Sequence, residues 1–548
     1  MTSATEPPDR PLEVETTEVV IAGGGPVGLT LAHELGARGI GCVLLEPRPE
    51  PSLASPRCKQ MNPRSMEIFR RLGIADAVRD NARLPFGWSD SAVYCTSLTG
   101  HRLERFDGVF ALSDIQRAEL AEPALWCAQN HVEEALRDTI TRRETVSARW
   151  GWTLTGLDQD ATGVTATATD DAGRERVVRG SYLVGADGAR SAVRRACAIP
   201  LTGRSHEIRN VQVIFDAPGL SARHGLGRAV QYWVVAPEVN GLMGTLDTED
   251  LWWAIVINAP VDPDAADEAW CERAVHRMIG AEAPVTVTAI DPWTARMLVA
   301  DRYRAGRCFL AGDAAHQNPP WGGFGANTGI GDAADLGWKL GAALRGWAGS
   351  DLLDSYEAER RPIARRAIAE AERNMRVLTG ELAAPGLDDD GPDGRALRAK
   401  TADLIRQAKT AEMYTLGFVL GTSYPGSPLV VPDDGPAPAS TGSEYRPSGA
   451  PGNRLPHHWL DRNRSLQDEL GPGFTLLEVA APPAPEWETA AAAVGVPLIR
   501  YRLNRPDLHG LYAARYVLVR PDGYIAWRGE TAPGDPQAVL DHARGQRD

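Results

Sequence analysis

The sequence predicts an α/β fold in three parts: an open, mostly parallel sheet flanked by helices, a mixed β-sheet inserted into it, and a compact C-terminal α/β module. Three observations carry this reading. The chain opens with a β-branched run ending in glycines, followed by helical apolar spacing and a second strand, in EVVIAGGGPVGLTLAHELGARGIGCVLLE. Two later apolar strands each end at an aspartate next to a glycine, Asp187-Gly188 and Gly312-Asp313. Between those two, aromatic strand patterns dominate.

Residues 1–16 read as a flexible, polar tail. The parallel-sheet unit is read over 17–200, with helices over 57–80 and 129–143 and a β-meander over 150–186. A piece of the inserted sheet falls within it, over 86–115. Residues 201–300 carry the rest of that sheet in VQVIFDAP, AVQYWVVAP, NGLMGTLD and LWWAIVIN. The chain returns to the first unit over 301–390, with RCFLAGDAAH and long helical patterns over 327–347 and 351–378. AAPGLDDDGPDGR interrupts that pattern, and 391–450 combine a helical connector with a Pro/Gly/Ser-rich linker. The strands FTLLEV, PLIRYRL, ARYVLVRP and YIAWRG alternate with helices over 451–548.

The composition excludes several classes. A chain of 548 residues with 43% hydrophobic and 24% charged residues is ordinary globular protein. Its net charge of −14 disfavours nucleic acid and anionic membranes as partners, and no run of ~18 apolar residues predicts a membrane span. The first residues are polar and acidic, unlike a secretory or transit signal, so a soluble cytoplasmic protein is expected. Seven cysteines without a CxxC pair or a His/Cys cluster predict neither a disulfide framework nor a metal site. Only four of the 58 basic residues are lysines: Lys59, Lys339, Lys400 and Lys409. A bias toward arginine accounts for the bulk of this, and the survivors mark places where a compact ammonium is worth testing.

The glycine cluster Gly23-x-Gly25-x-x-Gly28, enclosing Pro26 and Val27, sits on the first strand-to-helix turn. Glycines there let the backbone approach a pyrophosphate, and the free N–H groups of the helix start hold it. Glu46 ends the next strand, 18 residues after Gly28, where a carboxylate can accept ribose hydroxyls. The pattern predicts an adenine dinucleotide. The strings Tyr182-Leu-Val-Gly-Ala-Asp187-Gly188 and Gly312-Asp313-Ala-Ala-His316 place single carboxylates at the carboxyl edge of the same sheet, where doubly wound folds bind ligands.

With these three motifs in order, the sequence resembles the class A flavoprotein monooxygenases, the single-component FAD-dependent aromatic hydroxylases, over nearly its whole length. Arg64-Ser-Met-Glu67-Ile-Phe and Pro319-Pro320 followed by Gly325-Ala326-Asn327-Thr328 resemble the phenol hydroxylase and 2,4-dichlorophenol 6-monooxygenase branch. Pro451-Gly-Asn-Arg454-Leu-Pro456-His457 and Val517-Leu-Val-Arg520-Pro521-Asp522-Gly523 are similar to that branch's thioredoxin-like C-terminal domain. The resemblance implies a Rossmann-like FAD-binding domain of the GR2 type, bound FAD, transient NADPH or NADH, and O2 as co-substrate. It places Gly23, Gly25, Pro26, Val27, Gly28 and Glu46 on the ADP half of FAD and Asp187 on FAD and the nicotinamide donor. Asp313 is placed on the ribityl chain, and Arg57 and Gln129 at further polar contacts. The implied chemistry is oxygen transfer from a flavin C4a-hydroperoxide to a phenolic or hydroxypyridine ring, ortho to its hydroxyl. No cysteine follows Cys308, so the thioredoxin-like module cannot exchange disulfides; a structural or inter-subunit role and a homo-oligomer are expected.

The catalytic expectations follow from what the chemistry needs. Gly325, Ala326 and Asn327 open a helix whose free N–H groups would favour an anionic reduced flavin. Pro319 and Pro320 remove two donors and stiffen the loop, so that a carbonyl can face the reacting oxygen. A phenol ionises with a pKa of ~10, so the site has to favour the anion. Lys59 is the candidate cation, although a related phenol hydroxylase has an acid there. His316 is a candidate proton relay, or a ring packed beneath the flavin. Tyr232, Trp233, Trp252 and Trp253 alternate along the inserted sheet, so half of them should face the small aromatic substrate. A larger polyketide-derived phenol fits such a sheet as well. Two other classes are weighed: a non-oxygenating flavoprotein, and a flavin halogenase, whose tryptophan signature ending in Ile-Pro is not matched by Leu251-Trp-Trp-Ala-Ile-Val.

Overall fold

The computed structural model describes residues 14–52, 57–112, 117–259, 266–376, 382–433, 435 and 440–547. Its first sheet runs in the order Arg304–Ala305, Cys308–Leu310, Tyr182–Gly185, Val19–Ala22, Cys42–Glu46, Val146–Trp150. All neighbours except the first pair are parallel, the arrangement that helical crossovers produce. Because both faces are covered, Val19–Ala22 and Cys42–Glu46 are buried at every residue. Just beyond the strand ends, the N–H groups of Gly23, Ala186 and Ala311 continue the ladders to Leu45, Ala22 and Gly185. Those bonds bring the three motifs to one carboxyl edge.

Helix Pro26–Ala37 begins with a proline, whose missing N–H costs nothing in the first turn. It lies against helix Phe324–Leu344 at very short range. A Cβ added to Gly329 would fall 2.5 Å from Val27 Cγ2, and one added to Gly312 would fall 2.9 Å from it. Val27 thereby holds the first and third motifs together.

The helix expected over 57–80 is split and starts later, as Pro63–Arg71 and Ala75–Asp80. Asn62 caps its first turn by accepting from Ser65 N at 2.9 Å, and Pro63 holds the first helical position. Before the cap the backbone is extended, and Gln60–Met61 pairs with Leu125–Trp126. This pairing carries Lys59 across to the inserted sheet.

Among the described residues that sheet has eight strands, in the order His316–Gln317, Thr286–Ala300, Leu201–Asp216, Leu251–Ile257, Asn240–Thr245, Gln231–Val235, Ala92–Cys95, Arg102–Phe106. Strand alternation gives it two different faces. One packs with helix Glu268–Ile279 into a separate core that includes Val213, Phe215, Tyr232, Trp252 and Met278. The other sends Tyr94, Ile214, Trp233 and Trp253 into the main core shared with the first unit.

The C-terminal sheet runs Leu498–Leu503, Phe474–Val479, Tyr516–Val519, Ile525–Gly529, with the first pair parallel and the others antiparallel. Helices Glu486–Ala493 and Pro536–Ala543 pack on it through Trp487 and Leu540. Buried charges lock this module to the first unit. Arg520 lies among Glu359, Asp335 and Asp522, while Lys339 donates to Asp335 at 2.8 Å and to Glu359 at 2.6 Å. Arg454 Nε donates to Glu67 at 2.9 Å. All seven cysteines are free thiols. Among the described residues, no helix is long and apolar enough to cross a membrane, and no cluster of His, Cys, Asp and Glu could hold a metal.

Candidate active site

The cofactor cradle is built from backbone. Gly23 has φ +104°, and a Cβ there would lie 2.3 Å from Ala186 O, so only glycine lets the first loop pass this close to the second motif. A Cβ on Gly25 would meet nothing within 4 Å. Gly25 precedes a helix with no side-chain cap and no acidic residue in its first turn, which leaves that turn's N–H groups to an anion. Glu46 accepts from Gly24 N at 2.6 Å and from Arg48 N and Nε at 3.0 and 2.7 Å, which fixes the carboxylate with a lone pair to spare. Asp187 Oδ2 accepts from the N–H groups of Ala192 and Val193 at 2.7 and 3.1 Å, while its Oδ1 is buried without a partner among the described residues. Asp313 is exposed, yet desolvation by the atoms around it raises its carboxyl pKa, with His316 and Arg57 acting in the opposite direction. An open glycine loop, a bare helix start and carboxylates with spare acceptors along one sheet edge fit the pyrophosphate and polyol of a flavin dinucleotide.

The remaining predicted residues take defined places around this edge. The exposed Arg57 guanidinium is 3.6 Å from Asp291. Gln129 staples the extended segment at Lys59: its N–H donates to Cys58 O at 2.8 Å, and its side-chain oxygen accepts from Cys58 N at 3.2 Å. The Asn327 side chain accepts from Asn62 N and Ser65 Oγ at 2.9 and 2.7 Å and donates to Gln60 O and Gly323 O at 2.9 and 2.7 Å. With its side chain so engaged, Asn327 fixes the helix start, and Gly325 and Ala326 lie in that helix's first turn. The Pro320 carbonyl accepts from Gly323 N at 3.0 Å and closes the turn through Gly322 and Gly323, whose φ values are +90° and +65°. His316 is buried with Nε2 2.7 Å from Asp332, which also accepts from Gly312 N at 3.1 Å and Arg360 Nε at 2.8 Å. That arrangement ties the third motif to helix Phe324–Leu344.

Lys59 is buried, donates to Gln212 Oε1 at 2.9 Å, and stands 4.3 Å from the centroid of the Trp253 ring. Desolvation pushes its pKa down to about 7, with Cys58 and Asp291 opposing. Gly244 makes room for the Trp253 indole, since a Cβ there would lie 3.0 Å from Trp253 Nε1. Trp233 shares this face and stacks on Tyr94, with centroids 5.4 Å apart and planes 8° from parallel. Tyr232 and Trp252 occupy the other face, against His224, with Tyr232 Oη donating to Gly227 O at 2.7 Å. They lie on the opposite side of the sheet from Lys59. Gln212, Asp291 and Tyr94 escaped the sequence reading, because an isolated polar residue in a strand carries no local pattern. The shortage of lysine was a pointer to Lys409, which is buried 5.3 Å from the Trp233 ring.

A sheet edge with an open glycine loop, beside a segment tied to an aromatic sheet through Arg57–Asp291 and Lys59–Gln212, fits a flavin-type oxidoreductase fold. Residues 16–371 match the family model of the FAD binding domain, and 448–546 match that of the aromatic-ring hydroxylase C-terminal domain. The chain is 34% identical to tetracenomycin B2 monooxygenase-dioxygenase of Streptomyces olivaceus, with 95% of this chain and 97% of that protein covered. It is 32% identical to 2,4-dichlorophenol 6-monooxygenase of Delftia acidovorans, covering 93% and 94%. A ternary complex of aklavinone-11 hydroxylase with FAD and aklavinone superposes with a TM-score of 0.81 at 30% identity, covering 97% of this chain and 99% of that one. The chain belongs to the FAD-dependent aromatic-ring monooxygenases. FAD is its cofactor, and O2 and a reduced nicotinamide are the co-substrates of that chemistry.

Proposed function

We propose that the protein hydroxylates a polycyclic, polyketide-type phenol ortho to an existing hydroxyl, with Lys59 receiving the phenol proton. The observation that carries the polycyclic reading is the register of the inserted sheet. Asp291, Gln212, Ile255, Leu242, Trp233 and Tyr94 lie opposite one another across six adjacent strands. From Gln212 to Tyr94 this floor spans four strand spacings, about 19 Å, whereas one phenol ring covers roughly one spacing. The curated relatives include proteins named for a polycyclic and for a monocyclic phenol, and the length of the floor favours the first.

When bound, FAD supplies electron transfer from the nicotinamide and activation of O2. The chain supplies orientation, a dry floor and a proton acceptor. With a pKa of about 7, Lys59 is half neutral at neutral pH and can take the phenol proton, leaving an ammonium beside a phenolate in a site screened from water. Gln212 holds the amine at the floor, and the ring carbon next to the ionised oxygen becomes electron-rich. The Trp253 indole, beside Lys59, lines that end of the floor.

The test is a turnover screen of the FAD-loaded protein with NADPH and NADH against phenol, hydroxypyridine and danthron, a dihydroxyanthraquinone. Danthron should stimulate nicotinamide oxidation and gain one oxygen atom derived from labelled O2. Hydroxylation of phenol or hydroxypyridine alone would replace the polycyclic reading with a monocyclic one. Nicotinamide oxidation without any hydroxylated product would overturn the function.

A further inference from the structure

Two of the four lysines stand over the two tryptophans of one sheet face, Lys59 over Trp253 and Lys409 over Trp233. The two tryptophans lie on strands separated by one intervening strand, which sets the cations on the order of 10 Å apart. Lys409 is wholly buried and donates to Glu412 at 2.7 Å and to Asn374 O at 2.6 Å. Beside it are two buried polar atoms, Tyr94 Oη and Asn374 Nδ2, that have no partner among the described residues. Leaving a buried donor unsatisfied costs about 1–3 kcal/mol, and both donors belong to residues grouped around Lys409, so a ligand oxygen reaching this corner of the sheet would relieve that cost.

We propose that Tyr94, Asn374, Lys409 and Glu412 form a second polar pole of the substrate site, binding a carbonyl or hydroxyl oxygen on the ring farthest from Lys59. This rests on the polycyclic reading above. Burial, and after it Glu412, push the Tyr94 pKa upward, so the hydroxyl keeps its proton and donates. Asn374 Nδ2 is a second donor, and a carbonyl oxygen has lone pairs for both. Ile255 and Leu242 between the poles are apolar and buried, as a floor under fused rings requires. A single ring placed at Lys59 does not reach Tyr94, so the pole selects for length.

The test titrates FAD-loaded wild type, Tyr94→Phe and Asn374→Leu with danthron and with phenol, following the change in flavin absorbance. Tyr94→Phe keeps the ring and its stacking on Trp233. Each substitution should weaken danthron about tenfold, while phenol, which does not reach the pole, keeps its Kd. Unchanged danthron affinity in both variants would overturn the pole and leave the polycyclic reading standing. Equal weakening of both ligands would also overturn it, because the hydroxyl would then be supporting the sheet and not the substrate. If wild type binds phenol but not danthron, the polycyclic reading itself falls, and the pole with it.

Discussion

Replacing Lys59 with methionine removes the amine and keeps an unbranched side chain over Trp253. Moving a proton from a phenol of pKa ~10 to an amine of pKa about 7 is uphill by roughly 4 kcal/mol. The ammonium and phenolate so formed, about 4 Å apart at an effective dielectric of ~20, attract by roughly 4 kcal/mol. The two quantities nearly cancel, so the ion pair is accessible in the wild-type site and out of reach without the amine. Lys59→Met should therefore lower kcat/KM for a phenolic substrate by about 10²–10³-fold at pH 7, with FAD content unchanged. The pH profile gives a second readout. Wild-type kcat/KM should fall tenfold per pH unit below about 7, where Lys59 is already protonated before substrate arrives. The variant should lack that limb, rise instead toward the phenol's own pKa, and regain rate with a nitrophenol that is already ionised.

Stability should move the other way. A lysine whose folded pKa lies near 7 and whose unfolded pKa lies near 10.5 penalises the folded state increasingly as pH drops between those values. Lys59→Met should thus melt higher than wild type, most clearly at and below pH 7. A variant with wild-type kcat/KM and an unaltered acid limb would refute the assignment of Lys59 as proton acceptor.

The other expectations concern the cradle and the module contact. Gly23→Ala would set a methyl group 2.3 Å from Ala186 O at φ +104°, so the purified variant should lose most of its FAD while retaining its far-UV circular dichroism; full flavin occupancy would contradict the role of that loop. Arg520→Met removes the guanidinium paired with Glu359, Asp335 and Asp522 and leaves Lys339 paired with Asp335 and Glu359, which should cost about 3–5 kcal/mol in denaturant unfolding. A loss below 1 kcal/mol would mean that the carboxylates find protons or other partners at little cost.

Where chemistry depends on local backbone, it was legible in the sequence. A strand, a glycine turn and a helix start are neighbours in the chain, so the unit that carries Gly23, Gly25 and Gly28 and the strand ending at Glu46 were readable before any packing was known. The two aspartate motifs were legible for the same reason, each being a strand end followed by a glycine turn. The helix start at Pro63 was misplaced over residues 57–62, because a two-residue strand paired to Leu125–Trp126 leaves no periodicity to read.

What the sequence determined by itself was therefore the class of reaction: the cofactor, a sheet edge where three motifs meet, and an aromatic sheet inserted beside it. Only the tertiary structure decided which half of Tyr232, Trp233, Trp252 and Trp253 faces Lys59, since alternation names two sets but not the side the first unit covers. It also decided that Gln212, Tyr94 and Lys409, 118 to 315 positions apart, share one surface. Side-chain chemistry at a site comes from strands and helices that meet through long-range pairing, and pairing of that kind leaves no mark on the residues beside it in the chain.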